Sequence, residues 1–400
     1  MGAGTAQGGA CLLISGKVRK NMEFVVFAGV LLLLFIFMIV QELIQTKNQE
    51  KLFKKYLREN YGKEPPKEYS LERFARLGSY LERHKEEKQL DDITWNDLGM
   101  DEVFRRIDRT YSAAGEEYLY YTLRNISCGR EALEHLEEVV NWLQEQENIK
   151  VRIQLLMKRL GHLGKYSLYD YLDNLDYLGE RSNRKIVLGN LLYLPFLLLL
   201  FVQPAMGTIG IVLCMLWHIM TYFREKKVIE PYIISFAYVL RLIDVCEELE
   251  KQKIPVYRRE LDELREALKS LRELRRGAYW VMAGNQGKIG GNPLDILADY
   301  LRMILHLDIF QFNRMLEKLR KKTGQVENML AITGYLDMAI SVGGFRKSLE
   351  GYCIPKLEED TEKAFLHMKK GWHPLLSQPV KNSIRAVSYT HLTLPTSDLV

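Results

Sequence analysis

The stretch from Ile186 to Phe223 limits what this chain can fold into more than any other. It reads IVLGNLLYLPFLLLLFV, then Gln203-Pro204, then AMGTIGIVLCMLWHIMTYF, with no Asp, Glu, Lys or Arg inside it. The polar turn leaves halves of 17 and 19 residues, close to the ~20 apolar residues needed to cross a hydrocarbon core. Arg181, Arg184 and Lys185 precede the first half, and Arg224, Lys226 and Lys227 follow the second. Basic flanks at both outer ends, with none in the turn, place both ends in the cytoplasm. The alternative is a buried helical hairpin of a soluble core, but such helices usually carry one charged face. The expectation is a membrane hairpin set between two long, polar, helix-patterned segments.

Phe24 to Val40 (FVVFAGVLLLLFIFMIV) is a further charge-free run. It is long for a signal-peptide core and lacks a small-x-small cleavage site, so it reads as an uncleaved anchor. Lys17, Arg19 and Lys20 precede it, and Lys47, Lys51, Lys54, Lys55 and Arg58 follow it. That excess puts the following segment in the cytoplasm. Met22 immediately before the anchor offers an alternative start to Met1. The net charge of +5 is small for 400 residues, and the basic residues gather beside apolar runs. Anionic headgroups explain that placement better than a nucleic-acid groove does. Cys11, Cys128, Cys214, Cys246 and Cys353 contain no CxxC pair, which argues against a disulfide framework or a zinc site.

Glu42 to Tyr61 and Leu71 to Lys88 read as charged, motif-free helical linkers, separated by Gly62 and Pro65-Pro66. In the segment that follows, Phe104, Ile107, Tyr111, Ala114, Tyr118 and Tyr121 recur at spacings of three and four. They lie on one face of a helical path that breaks or bends near Gly115, and the pattern predicts core packing. Leu133, Leu136, Val140 and Leu143 repeat it. After the hairpin, Tyr232 to Leu249 keeps helical spacing, and Leu261, Leu264, Leu268 and Leu271 form a narrow seam on a helix with mixed charges elsewhere. Leu294 to Gly324 and Gln325 to Leu349 predict two more helical stretches.

Gly277 to Pro293 is Gly- and Asn-rich and predicts a loop. Its Gly287-Lys288 invites comparison with a phosphate-binding GxxxxGK[ST] loop. Met282 and Ile289 stand where that motif needs Gly and Ser or Thr, so the comparison fails. Near the C-terminus the periodicity changes, and Tyr352 to Leu357 and Ala364 to Met368 read as strands.

Two regions flanking the hairpin resemble the MutS family of DNA mismatch-repair proteins, in particular its membrane-tethered relatives. The first is IDRTYSAAGEEYLYYTLRN, from Ile107 to Asn125, where Asp108 and Thr110 form an Asp-x-Thr ahead of Gly115, as in the family's core signature. The second holds Tyr352 with Pro355, then His373-Pro374, then Lys381-Asn382-Ser383, ending near Ile384. It is similar to the end of the family's lever helices and the entrance to its ATPase domain, although the last element departs from the family's Pro-Asn-Asp-like turn. The resemblance spans residues 91–163 and 231–386. It implies structural roles for Asp108, Thr110, Gly115, Tyr352, Pro355 and Pro374, and positions near the nucleotide for His373 and Asn382. It also implies ATP and Mg²⁺ for the full-length protein, bound by a Walker A loop that these 400 residues do not contain; no cofactor is expected in this chain itself. VSYTHLTLPTSDLV, from Val387 to Val400, is similar to an in-frame translation of a sequencing-library adaptor and is expected to be non-native. The Phe-x-Glu wedge with which mismatch readers unstack a duplex is not found on a soluble domain ahead of the core, since Phe223-Arg224-Glu225 closes the apolar run, so DNA remains a partner without a reading motif.

The expected fold is mainly α: a membrane-anchored helical core and lever domain, interrupted by a transmembrane hairpin, with the first strands of a truncated α/β ATPase domain at the C-terminus. The expected divisions are a tail at 1–23, an anchor at 24–40, a linker at 41–90, core helices at 91–180, the hairpin at 186–223, core and lever helices at 228–350, the start of the ATPase domain at 351–386 and the non-native tail at 387–400. The implied protein is a multi-pass cell-membrane protein with cytoplasmic soluble segments, a homodimer when full-length, and an ATPase whose present chain is inactive. No acid–base pair, nucleophile–His arrangement or metal cluster can be assembled from spacing, so no catalytic residue is assigned. A different class stays open: a non-enzymatic membrane scaffold whose cytoplasmic helices bind a protein partner. A small transporter fits less well, because the spans carry no Asp, Glu, Lys or Arg and only His218 as a titratable histidine.

Overall fold

A computed structural model describes residues 37–41, 44–63, 69–85, 88–126, 129–164, 166–275, 293–358, 365–376 and 378–387. Most of the expected anchor, the Gly-rich loop at 277–292 and the tail at 388–400 lie outside the described residues. The chain divides into two compact units at Asn60 and Tyr61. The described part of the first unit is helical over residues 37–41 and over residues 44–60, here α1. On α1, Lys54 pairs with Glu50 one turn back at 2.6 Å.

The second unit is built of helices followed by one small sheet. Helix α2 (Leu71–Arg83) opens at Ser70, whose side chain accepts from the Arg73 N–H. Asp91 caps α3 (Asp92–Asp97) in the same way. Gly99, in the left-handed conformation, turns the chain into α4 (Met100–Ile107). The path then breaks at Asp108 to Ser112, and α5 (Ala113–Arg124) starts with Ser112 accepting from the Gly115 N–H. The break thus precedes Gly115, which sits inside the first turn of α5 and does not mark a bend. Helices α6 (Arg130–Glu145), α7 (Glu147–Leu160) and the capping-box helix α8 (Leu168–Asp173) follow. Helix α2 was expected to belong to a linker, yet its Leu77 and Tyr80 are buried in the core.

The apolar hairpin consists of α9 (Arg184–Leu191), α10 (Tyr193–Val202) and the start of α11 (Pro204–Glu250). Gln203 leaves helical geometry at φ −137° and ψ 84°, and Pro204 at the next helix start needs no N–H partner. Gly207 and Gly210 let α10 and α11 approach closely: an added Cβ would sit 2.6 Å from the Leu200 nitrogen or 2.5 Å from Phe196 Cε1. Arg184–Val202 and Pro204–Glu250 are long and apolar enough to cross a membrane, with mean hydropathies of 2.1 and 1.6 over an 18-residue stretch of each. The apolar surface points outward, with Leu198 69 %, Phe201 88 % and Met220 74 % exposed. A soluble core hairpin would bury these side chains.

The helix does not end with the apolar run at Phe223. Helix α11 runs for 47 residues, through the charged stretch from Arg224 to Glu230 and through Pro231, or about 70 Å at ~1.5 Å per residue. Charged residues such as Arg, Glu and Lys are good helix formers, so the change from apolar to polar composition does not interrupt the backbone hydrogen bonds. Beyond Pro231 the helix changes role. Ile233, Phe236, Tyr238, Val239, Leu242, Ile243, Val245, Cys246 and Leu249 are buried on several of its faces.

The same core takes in α12 (Arg258–Leu271), whose Leu261, Leu264, Leu268 and Leu271 are all buried, as their spacing predicts. Helices α13 (Pro293–Leu305), α14 (Leu307–Arg320) and α15 (Thr323–Lys347) complete it. Of the aromatic series, Phe104, Ile107 and Ala114 are buried, while Tyr118 and Tyr121 pack half-buried against the core. Leu133 alone of its series is exposed, at 38 %. At the C-terminus β1 (Phe365–Gly371) pairs antiparallel with β2 (Asn382–Val387), from Phe365 opposite Val387 to Gly371 opposite Asn382, with an irregularity after Met368. The strand expected at Tyr352 to Leu357 does not form. Residues 351–358 are exposed, irregular chain, because a strand needs a ladder partner and the described residues offer it none.

Candidate functional site

The Asp-x-Thr segment lies at a buried polar network where α5 meets α15. Asp108, which is 0 % exposed, accepts from the Thr110 N–H at 2.9 Å and the Thr110 hydroxyl at 2.6 Å. It also accepts from the Tyr69 hydroxyl. One turn below, Asp337 of α15 accepts from the Ser112 N–H at 2.8 Å, the Ser112 hydroxyl at 2.6 Å and the Tyr111 N–H at 3.0 Å. A carboxylate at this helix start meets N–H groups that have no partner within the helix, together with the positive end of the helix dipole. Ser341, one turn further along α15, accepts from the Arg109 N–H at 2.7 Å and donates to the Ile107 carbonyl at 2.8 Å.

Gly115 is required by this arrangement. A Cβ there would stand 2.6 Å from Asp337 Cβ. Gly334 of α15 has the matching need, since its Cβ would meet the Ala114 carbonyl oxygen at 2.6 Å. The two glycines let α5 and α15 touch almost backbone to backbone.

Two adjacent carboxylates extend the network toward α2. Glu116 is 0 % exposed and is held by Arg73 Nε at 2.6 Å and by Arg76 at 2.5 Å; Arg76 also donates to the Gly164 carbonyl at 2.8 Å. Glu117 is also buried, and the Ser167 hydroxyl donates to it at 2.9 Å. Burial pushes its carboxyl up to about 8, against the opposing pull of the Ser167 hydrogen bond and the Arg76 charge. Burial first, and then the Asp108 charge, likewise drive the Tyr69 phenol upward.

This network braces the core. Ser112 and Asp337 are each 0 % exposed, so their hydroxyl–carboxylate pair meets no substrate from solvent. Each carboxylate is occupied by donors from another element, which ties α2, α5 and α15 together. Among the described residues, no group of three or more His, Cys, Asp and Glu side chains is placed to hold a metal ion. No protein-family model, no curated protein and no solved structure matches this chain.

The structure brings Asp108, Thr110 and Gly115 together in this brace and places the other expected residues elsewhere. His373 is exposed in the connection after β1, where its Nδ1 faces the Leu375 N–H at 3.4 Å. Pro374 forms the adjoining turn, and Asn382 opens β2 at the same end of the hairpin. Tyr352 and Pro355 lie in the exposed irregular chain, with Arg346 5.1 Å from the Tyr352 ring centre. Asp337, Ser341, Glu116, Glu117, Arg73 and Arg76 were not singled out from the sequence. The one local signal was Glu116-Glu117, acidic residues at an otherwise apolar helix start; the partners of Asp337 lie more than 220 residues away.

Proposed function

We propose that this chain is the membrane-anchored N-terminal part of a MutS-like ATPase, in which nucleotide-driven movement is coupled to the bilayer. The observation that carries the reading is α11, a single helix that begins in the apolar hairpin and ends as a buried pillar of the helical core. The brace supports it from the other side. Asp337 and Ser341 of α15 hold the start of α5 through Arg109, Tyr111 and Ser112, Gly115 allows the close approach, and the chain runs on from α15 toward the C-terminal β-hairpin. A displacement of α15 would pass through the core and along α11 to the membrane. ATP and Mg²⁺ would be held by a Walker A loop following this chain, with His373 and Asn382 near its entrance, in a protein that works as a homodimer. DNA is the family's ligand, but here it has no reading motif to support it.

A membrane scaffold is the second reading. The β-hairpin favours it by exposing Leu366, Met368 and Ile384, a surface that a protein partner could cover. Reading the source DNA through and past the codon for Ala386 separates the two. The ATPase reading predicts a frame that runs into GxxxxGK[ST] and an extended protein that turns over Mg²⁺-ATP until that Lys is replaced by Ala. A native stop after Val400, with no nucleotide bound, would favour the scaffold.

A further inference from the structure

Helices α13 and α14 meet at His306, whose backbone is left-handed at φ 54°, an uncommon conformation for a residue with a side chain. This corner is fastened inside the limits of the apolar hairpin. His306 Nδ1 lies 3.3 Å from His218 Nδ1, and Asn190 donates to the Leu305 carbonyl at 3.1 Å. His218 and Asn190 are five and four residues inside the apolar run, or roughly 6–8 Å by helix rise. From the corner, α14 runs back out along the chain that enters the hairpin. Asp308 accepts from Tyr222 at 2.8 Å, and the Phe310 carbonyl accepts from Asn183 at 3.0 Å. Asn313 accepts from Arg181 at 3.1 Å, and Arg320 reaches the Leu175 carbonyl at 2.6 Å. The partners step steadily away from the hairpin.

At the end of α13 an aromatic and an aliphatic side chain share the exposed face with a carboxylate: Tyr300 is 57 %, Leu301 42 % and Asp299 62 % exposed, while Arg302, 4 % exposed, pairs with Asp299 at 2.9 Å. Such a mixture suits the headgroup layer, which accepts charge, and not the hydrocarbon centre. Tyr is characteristic of the headgroup level, where an apolar ring and a polar tip are both accommodated. Depth is limited by His218 Nε2, Asn190 Oδ1 and the Tyr193 hydroxyl, which are buried without a hydrogen-bond partner among the described residues. Such groups are costly in the hydrocarbon centre and can be hydrated at its boundary.

We propose that α13 and α14 form a re-entrant V whose corner at Leu305-His306 is seated in the cytoplasmic headgroup layer, with Tyr300 and Leu301 against lipid. This rests on the reading of α9 to α11 as a membrane hairpin and adds a third lipid-contacting element to it. The expected partner is the bilayer interface itself.

The test is nitroxide accessibility in the full chain, with the native cysteines replaced and single labels placed at Leu301, Tyr300, Leu198 and Ile93. The proteins are reconstituted in phosphatidylcholine–phosphatidylglycerol vesicles, and circular dichroism checks that each keeps its helix content. Label 198 should be accessible to oxygen and shielded from a water-soluble nickel chelate, and label 93 the reverse. Labels 301 and 300 should fall between them, at headgroup depth. If both match label 93 while label 198 stays in lipid, the re-entrant V is wrong and the hairpin reading stands. If label 198 also behaves as water-exposed, the membrane reading itself fails.

Discussion

At the scale of single residues, the brace between α5 and α15 makes sharp demands. Replacing Gly115 by Ala drives a methyl group into Asp337, and overpacking of this kind costs about 1–3 kcal/mol. Gly78, in the interior of α2, has nothing within 4 Å of its would-be Cβ, so Gly78→Ala should be neutral or stabilise by up to ~1 kcal/mol through helix propensity. Thermal melts should therefore fall for Gly115→Ala and hold or rise for Gly78→Ala; equal shifts would contradict the brace. Glu117 adds a pH signature. Its carboxyl rises from its ordinary 4.5 to about 8 in the fold, so between those values the folded state holds the extra proton and stability declines as pH rises. Glu117→Gln keeps an acceptor for Ser167 and cannot ionise. It should flatten that decline and gain stability over the wild type above neutral pH, read as melting temperature against pH. Parallel curves would mean that Glu117 is ionised in the fold.

At the scale of elements, the leucine seam of α12 is the most direct case of sequence periodicity becoming packing. Leu264 is 0 % exposed, and Leu→Ala at such a site typically costs 2–5 kcal/mol, whereas a solvated neighbour such as Glu263 should stay within about 0.5 kcal/mol. Denaturant titration of Leu264→Ala and Glu263→Ala measures both. The seam and the apolar hairpin were legible because each is specified by residues close together in sequence. Three features were not. Arg73 and Arg76 look like a solvated charged face until Glu116, some 40 residues on, accepts from both. Tyr352 to Leu357 has the composition of a strand, but composition supplies no partner to pair with. The continuity of α11 was hidden because Arg224 to Lys227 and Pro231 look like a boundary, while the helix runs through both although Pro231 supplies no N–H to its hydrogen-bond ladder.

At the scale of the molecule, the account depends on α11 as one rigid member shared by the hairpin and the helical core. Its first part presents Leu213, Leu216 and Met220 outward, and its last part buries Phe236, Leu242 and Val245. If it is continuous, any tilt of the core relative to the bilayer moves the hairpin as well, which is the coupling that the proposed function requires. If it hinges at Pro231, the core and the hairpin move independently and the coupling is lost. The direct measurement is a pulsed electron–electron distance between spin labels at the exposed positions Met220 and Lys251, 31 residues apart, in a cysteine-free chain reconstituted in vesicles. The account predicts a single narrow distribution near 46 Å, from ~1.5 Å of rise per residue. A broad distribution, or one with a population centred roughly 10 Å or more below the straight-helix value, would show a hinge or break in α11 and contradict it.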